Sequence, residues 1–429
     1  MNKVYNTVWN ESTGMWVVTS ELTRKGGQRP RQIRRTLLAA MIAGLLMPSE
    51  PVLATAYDNQ TLGNNSMSLG AGDTANNTTI NSGGYQHVSS GGSATSTTIN
   101  SGGGQNVSSG GSASDTTINS GGEQYVYSGG SATSTTINGD GLQTVYSGGS
   151  ATSTTINNDG SLVVFSGGSA VAITQNSGGA ISTDTDAYLN GANVNGSFSI
   201  AAGSASNMLL ENGGSLSVLG SHQASDTTVG SGGLLLVSNG GNATSTTISS
   251  SGSQIIYSGG SATGTVIDGG VQNVSGSATS TTINYGFQNI YSGGIAAATL
   301  LNTGGTQNIL AGGNATGTTI DGGTQTVDGN AENTTVSRGV QTVRAGGSSV
   351  ITTILNGARQ LVSGFADQTT LSNGAEQSIY AGGSATNTTI NSGGMLQVAV
   401  SASASQVTQN AGGAIVTTTD AAVDGNNRK

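Results

Sequence analysis

One aliphatic position returns along most of the chain at a nearly fixed distance. Ile80, Ile99, Ile118, Ile137 and Ile156 stand 19 residues apart, each preceded by threonine and followed by asparagine. Val229, Ile248, Ile267, Ile283, Leu301, Ile320, Val336, Ile354, Leu371 and Ile390 fill the same slot later, with intervals that shrink in places to 16–18. The unit reads roughly S-A-T-x-T-T-I-N-S-G-G-x-Q-x-V-x-S-G-G. A period near 20 residues marks a solenoid or a tandem array.

Each unit holds two runs of β-prone residues, such as Thr97-Thr98-Ile99 and Gln105-Asn106-Val107, separated by Gly-Gly pairs. Glycine adopts positive φ without penalty, so these pairs are the expected corners. Helix is excluded by the recurrent glycine, the abundant threonine and the lack of a 3.6-residue apolar stripe. One unit offers about one Ile, one Val and one Ala to a core, too little to fold alone, so the rungs must stack. The prediction is an all-β, right-handed parallel β-helix (a β-solenoid) of about eighteen ~19-residue rungs, a rod of order 85 Å at ~4.8 Å per rung. Stacking sets each residue above its own copy, where like charges would repel by nearly 1 kcal/mol per pair even in water. Only 8% of residues are charged. Thr, Ser and Asn are expected to bond along the columns instead.

The pattern divides the chain. Residues 1–54 read as an extended signal, 55–77 as an N-terminal cap and 78–175 as rungs. Residues 176–205 read as an irregular break, and 206–429 as further rungs. In the break the marker slot holds Gln175, and then Leu210 after a gap of 35 residues. The final stretch ASQVTQNAGGAIVTTTDAAVDGNNRK repeats the break, with Asn176 matching Asn410 and Asp186 matching Asp420. The first copy runs into more rungs and the second stops at Lys429. The expectation is a truncated copy of a longer protein, with a natural C-terminal cap as the other reading.

Before residue 55 the chemistry changes. Seven of the twelve basic residues, all three prolines and both tryptophans lie there. RRTLLAAMIAGLLMPSEPVLA has a positive end, an apolar run too short to span a bilayer, and a small-residue cleavage site between Ala54 and Thr55. Cleavage after Ala56 is the alternative. From Thr55 onward there are 5 basic and 18 acidic residues, a net charge of -13. This excludes nucleic acid as a partner, which requires basic patches. There is no cysteine, so neither a disulfide nor a thiolate metal site can form.

The segment MNKVYNTVWNESTGMWVVTSELTRKGG, placed before an ordinary signal, resembles the extended signal region of large autotransporters. The repeat itself, with Thr98-Ile99, Gly102-Gly103, Gln105-x-Val107 and Gly110-Gly111, resembles the AIDA-type autotransporter adhesins over essentially the whole chain. The resemblance implies a surface passenger that self-associates between neighbouring cells, builds biofilm and attaches to the host-cell surface. It also implies heptose transfer to repeat serines by a dedicated heptosyltransferase. The serines of the N-S-G-G corners, Ser82, Ser101, Ser120 and Ser392, are the candidate acceptors. The family's C-terminal outer-membrane barrel has no counterpart here. Export is therefore expected to end at the cell surface or outer membrane if a transporter is supplied, and in the periplasm otherwise.

Polysaccharide-cleaving β-helices need clustered carboxylates. The best cluster is Asp184 with Asp186, but Asp184 is replaced by Thr418 in the second copy of the module. No catalytic residue, metal site or cofactor is expected. His87 and His222 read as exposed variants of repeat positions. The glycines lack the G-K-S/T of a phosphate loop. A Thr95-x-Thr97 face suggests ice binding, although Thr97 shares a side with Ile99. An amyloid-like matrix repeat is a further alternative. The favoured face carries Thr, Asn and Ser ladders with Tyr127, Tyr146, Tyr257, Tyr291 and Tyr380.

Overall fold

The computed structural model describes residues 5–10, 15–20 and 53–428. Tyr5–Asn10 and Met15–Ser20 form a two-stranded antiparallel pair. The apolar run of the signal lies outside the described residues. From residue 54 onward the chain is one compact unit. It is a parallel β-solenoid of about 20 turns. The count exceeds eighteen because residues 56–69, expected as a cap, already form a full turn on which the next turn stacks.

A standard turn has three short strands. In one turn these are Ser93–Thr95, Thr98–Ile99 and Gly104–Val107. Each strand pairs in parallel with its own copy in the turns before and after. Ile99 lies between Ile80 and Ile118, Ala94 beside Ala113, and Val107 beside Val126. These Ala, Ile and Val columns are fully buried and form one thin continuous core.

The three corners differ. The two expected Gly-Gly corners place Gly102 and Gly110 at φ 70° and 74°. Their second glycines serve another purpose, since a Cβ on Gly103 would sit 2.7 Å from the carbonyl oxygen of Ile80. The third corner carries glycine at Gly264 and Gly317, and a side chain with positive φ in other turns. Ser96, Asp115, Ser134 and Ser153 adopt φ of 54–59° there. Short polar side chains tolerate this left-handed conformation, which explains why Ser, Asp and Asn fill most of these slots, although Ala172, Ala298, Ile351, Gln368 and Gln406 also adopt it.

The core also contains amides. Gln86, Gln105, Gln124 and Gln143 are buried beneath one another, as are Gln254, Gln272, Gln288, Gln307, Gln325, Gln341, Gln360 and Gln377. Above the first member of each run, every Nε2 donates to the Oε1 one turn below, at 2.6–2.8 Å, while Gln86 and Gln254 donate to Thr78 and Thr246. The Thr97 column lines the same ladder. Thr97 donates to Gln86 and accepts from Gln105, both at 3.3 Å. A buried amide column is stable only when every member is paired, and this one is.

The ladder stops at both copies of the module. Leu162 follows Gln143 and Leu396 follows Gln377 in the same slot. At the first copy, the expected irregular stretch is an ordered excursion. Tyr188–Asn193 pairs antiparallel with Gly196–Ala201, which pairs antiparallel with Ser204–Ser206. Phe198, Ile200 and Met208 bury themselves where the ladder is missing. Ala180–Asp184 then bonds directly to Ser215–Val218 across the excursion.

Candidate functional surface

With the apolar and amide columns inside, any function must come from the columns that face outward. The corner between the second and third strands carries Asn and Ser. Asn100 donates to Asn81 and Asn119 donates to Asn100, each at 2.9 Å, and the ladder continues through Asn157 and Asn176. Ser82, Ser101, Ser120 and Ser392 sit beside these asparagines and are all exposed. Above each lies a glycine of the next turn. A Cβ on Gly102 would come within 2.9 Å of Ser82 Oγ, and one on Gly412 within 2.8 Å of Ser392 Oγ. At Ser82, Ser101 and Ser392 only glycine leaves the hydroxyl uncovered, while Ser120 Oγ donates to Asp140 Oδ2 at 3.4 Å.

The opposite Gly-Gly corner repeats the arrangement. Ser109, Ser128 and Ser147 are exposed, and a Cβ on Gly129, Gly148 or Gly167 would press on their Oγ atoms. Sequence reasoning missed this second serine column. The signal was present, since S-G-G occurs twice in units such as Ser101–Gly111 and Ser120–Gly130.

The residue after the core Val or Ile occupies an outward slot at this second corner. Tyr127, Tyr257, Tyr291 and Tyr380 are exposed there. Tyr146 is half-buried because its ring lies between two others. Its centroid is 4.9 Å from Tyr127 at an interplanar angle of 2°, and 5.2 Å from Phe165 at 14°. Phe165 completes this stack and was absent from the expected set, although it fills the same slot after Val164. Tyr125 flanks the stack from the strand. Its hydroxyl donates to Glu123 at 2.6 Å, and this bond, then burial and the carboxylate charge, push its pKa up to about 12.

The remaining sequence candidates find structural partners. Asp184 accepts from Ser166 Oγ at 2.6 Å and from the amide of Asp186 at 2.9 Å. Asp186 instead faces His222 at 3.7 Å, and His222 Nδ1 meets Thr185 Oγ1 at 2.7 Å. His87 lies in an outward strand slot against Asn106. Thr97 is buried, so Thr95 and Thr97 do not make the flat exposed face that ice binding would use. Among the described residues, no three His, Asp or Glu converge on one point. Three arginines pair across turns, Arg338 with Asp321, Arg344 with Asp328 and Arg359 with Glu376. Paired this way, they present no basic patch.

At the start of the solenoid, Ala54 and Thr55 are exposed. The Asp73 carboxylate accepts from the amides of Gly70 at 2.9 Å and Thr55 at 2.8 Å. These two bonds hold its pKa below the usual carboxylate value.

Two protein families match the chain. The family described as "Adhesin of bacterial autotransporter system, probable stalk" matches residues 61–103, 100–141, 190–252 and 356–413. The "Extended Signal Peptide of Type V secretion system" matches residues 1–49. The chain is 77% identical to Autotransporter CRAC of Citrobacter rodentium over 51% of its length and 13% of that protein. It is also 77% identical to the autotransporter adhesin/invasin TibA of Escherichia coli O78:H11, over 20% of its length and 9% of that protein. It therefore spans only a small part of the curated relatives it matches. A solved structure described as a TibC-catalysed hyper-glycosylated TibA fragment is 42% identical, with coverage of 86% of this chain and 100% of that one and a TM-score of 0.28.

Proposed function

This chain belongs to the AIDA-type autotransporter adhesin passengers and carries their extended export signal, and we propose that its solenoid works by multivalent surface contact. The outward columns carry this reading. Hydroxyls and amides recur in the same slots over runs of consecutive turns, with tyrosine in the outward slot at Tyr127, Tyr146, Tyr257, Tyr291 and Tyr380, so two solenoids in contact meet in many similar registers. Each contact is weak, and linkage of many contacts on one rod raises the combined affinity by orders of magnitude. The partners are copies on neighbouring cells, giving aggregation and biofilm, and the host-cell surface. The test is display of the repeats on a non-aggregating cell. Settling is expected with the full array and lost with a display of three turns. Equal settling by both would reject the multivalent mechanism.

The exposed serine corners are the proposed acceptors for a heptosyltransferase, with Ser82, Ser101, Ser120 and Ser392 first among them. The glycines above Ser82, Ser101 and Ser392 support this, whereas Ser120 Oγ donates to Asp140 of the next turn at 3.4 Å. Coexpression with such a transferase is expected to add mass in heptose steps, reduced by Ser→Ala changes at these four positions. An unchanged mass ladder in the fourfold variant would assign the sugars to other serines.

Signal removal is proposed between Ala54 and Thr55. Cleavage there turns the Thr55 amide into an ammonium beside the Asp73 carboxylate, a stronger charge-assisted bond. Cleavage after Ala56 would instead discard the Thr55 carbonyl that accepts from Thr74. Intact mass of the exported protein decides between them.

A further inference from the structure

The aromatic stack ends with one ring face uncovered. Tyr127, Tyr146 and Phe165 stack along the solenoid axis at about one ring per turn. The next turn offers Asp184 in that slot, and Asp184 is turned aside to Ser166. Beyond Phe165 lies a groove of about 300 Å³. It exists because the strands around the excursion slip in register: Asp184, rather than Ser182, lies opposite Ser217. Phe165, Val163 and Leu219 give the groove its apolar side. Ser182, Ser217 and Asp184 give it a rim of hydroxyls and carboxylate oxygens.

A groove recurs where the second copy of the module begins. Tyr380, Val398 and Ala399 line it, with Gln397, Thr417 and Thr418 as the polar side. Here too an exposed aromatic is followed one turn later by a small residue, Ala399, and its ring goes uncovered. The two grooves differ by one turn, since Ala399 and not Tyr380 stands where the first copy has Phe165; what they share is an aromatic face left open in the outward slot beside the module.

We propose that each groove binds one neutral pyranose ring. A ring in the open slot continues the stack, with its C–H face on Phe165 or Tyr380. Its equatorial hydroxyls then reach the polar rim. Each Asp184 oxygen already accepts one bond and retains a lone pair for a ligand O–H. An aromatic ligand would fill the slot but leave this rim unused. An acidic sugar would meet Asp184, Asp186 and a solenoid whose net charge from Thr55 is -13. The site stands apart from cell aggregation, because it is tested on the purified chain.

The experiment is saturation-transfer NMR on the full chain with methyl β-D-galactopyranoside and, separately, N-acetylneuraminic acid. Transfer to ring protons on one face of the galactoside is expected, with none to the acid. Phe165→Ala and Tyr380→Ala should each reduce the transfer. The double variant should weaken binding about tenfold at each site, the scale of one lost ring contact. Phe165→Trp, with a larger platform, should raise it. Both residues are exposed, and an unchanged far-ultraviolet spectrum identifies folded variants. Equal transfer in the double variant, no transfer to the galactoside, or equal transfer to the acid would overturn the proposal.

Discussion

The two buried threonines Thr97 and Thr227 occupy the same slot and have opposite energetics. Thr97 bridges two glutamines of the ladder. Thr227 stacks where the ladder is interrupted by Leu216 and Leu235, and its hydroxyl has no partner. A buried donor without a partner costs about 1–3 kcal/mol. Thr97→Val is therefore expected to destabilise by about 1–3 kcal/mol, because it strands an N–H of Gln105. Thr227→Val, of equal volume, is expected to stabilise by about 1 kcal/mol, because it removes the stranded group. Urea midpoints of the two variants test the contrast, and a loss of stability in both would refute it. Tyr125 gives a second test at this scale. Its folded pKa lies near 12 against an ordinary 10, so the stabilisation from its bond to Glu123 is complete below pH 10 and lost as pH climbs through about 12. Phenolate absorbance should show one tyrosine titrating last, and Glu123→Ala should return it to the others.

At the scale of the strand, the amide ladder sets the register. Gln307 donates to Gln288 and accepts from Gln325, each at 2.7 Å, and also accepts from Thr318. Gln307→Leu would strand two buried donors, the Thr318 hydroxyl and an N–H of Gln325, with an expected cost of about 2–4 kcal/mol, although Leu occupies this slot naturally at 162. The difference is context, since Leu162 adjoins the module where the column is already apolar. Thermal unfolding that left Gln307→Leu equal to wild type would deny the ladder a role. Much of this element was legible in the sequence. The Ile marker, the Gly corners and the Asn column follow from the period alone. The inward glutamine was overlooked because a polar residue reads as outward. Yet Gln105-x-Val107 has strand spacing, which places Gln and Val on one face. The Ser96 corner was hidden because serine has no strong preference for positive φ. The groove beside Phe165 was illegible, since it depends on a slip between strands that are distant in sequence.

Across the whole molecule, each turn touches only the turns before and after it, so length is a free variable of the fold. Removing residues 98–116 excises one complete period. Ile80 then stacks on Ile118 and Gln86 on Gln124, in the register that Ile99 and Gln105 now occupy. The shortened chain is expected to fold, to keep nearly the same denaturation midpoint and to be about 4.8 Å shorter by solution scattering. Removing residues 98–107 instead deletes two strands from one turn, exposes the core at that level and is expected to leave one side of the break unfolded. If both deletions behaved alike, nearest-neighbour stacking would not be what holds the chain. The same series bears on the surface. Each excision among the regular turns removes copies of the Thr, Asn and Ser columns that other turns also carry, so aggregation of cells displaying the chain should fall steadily with the number of turns. A collapse at one particular excision would place the contact in a single turn instead of in the repetition.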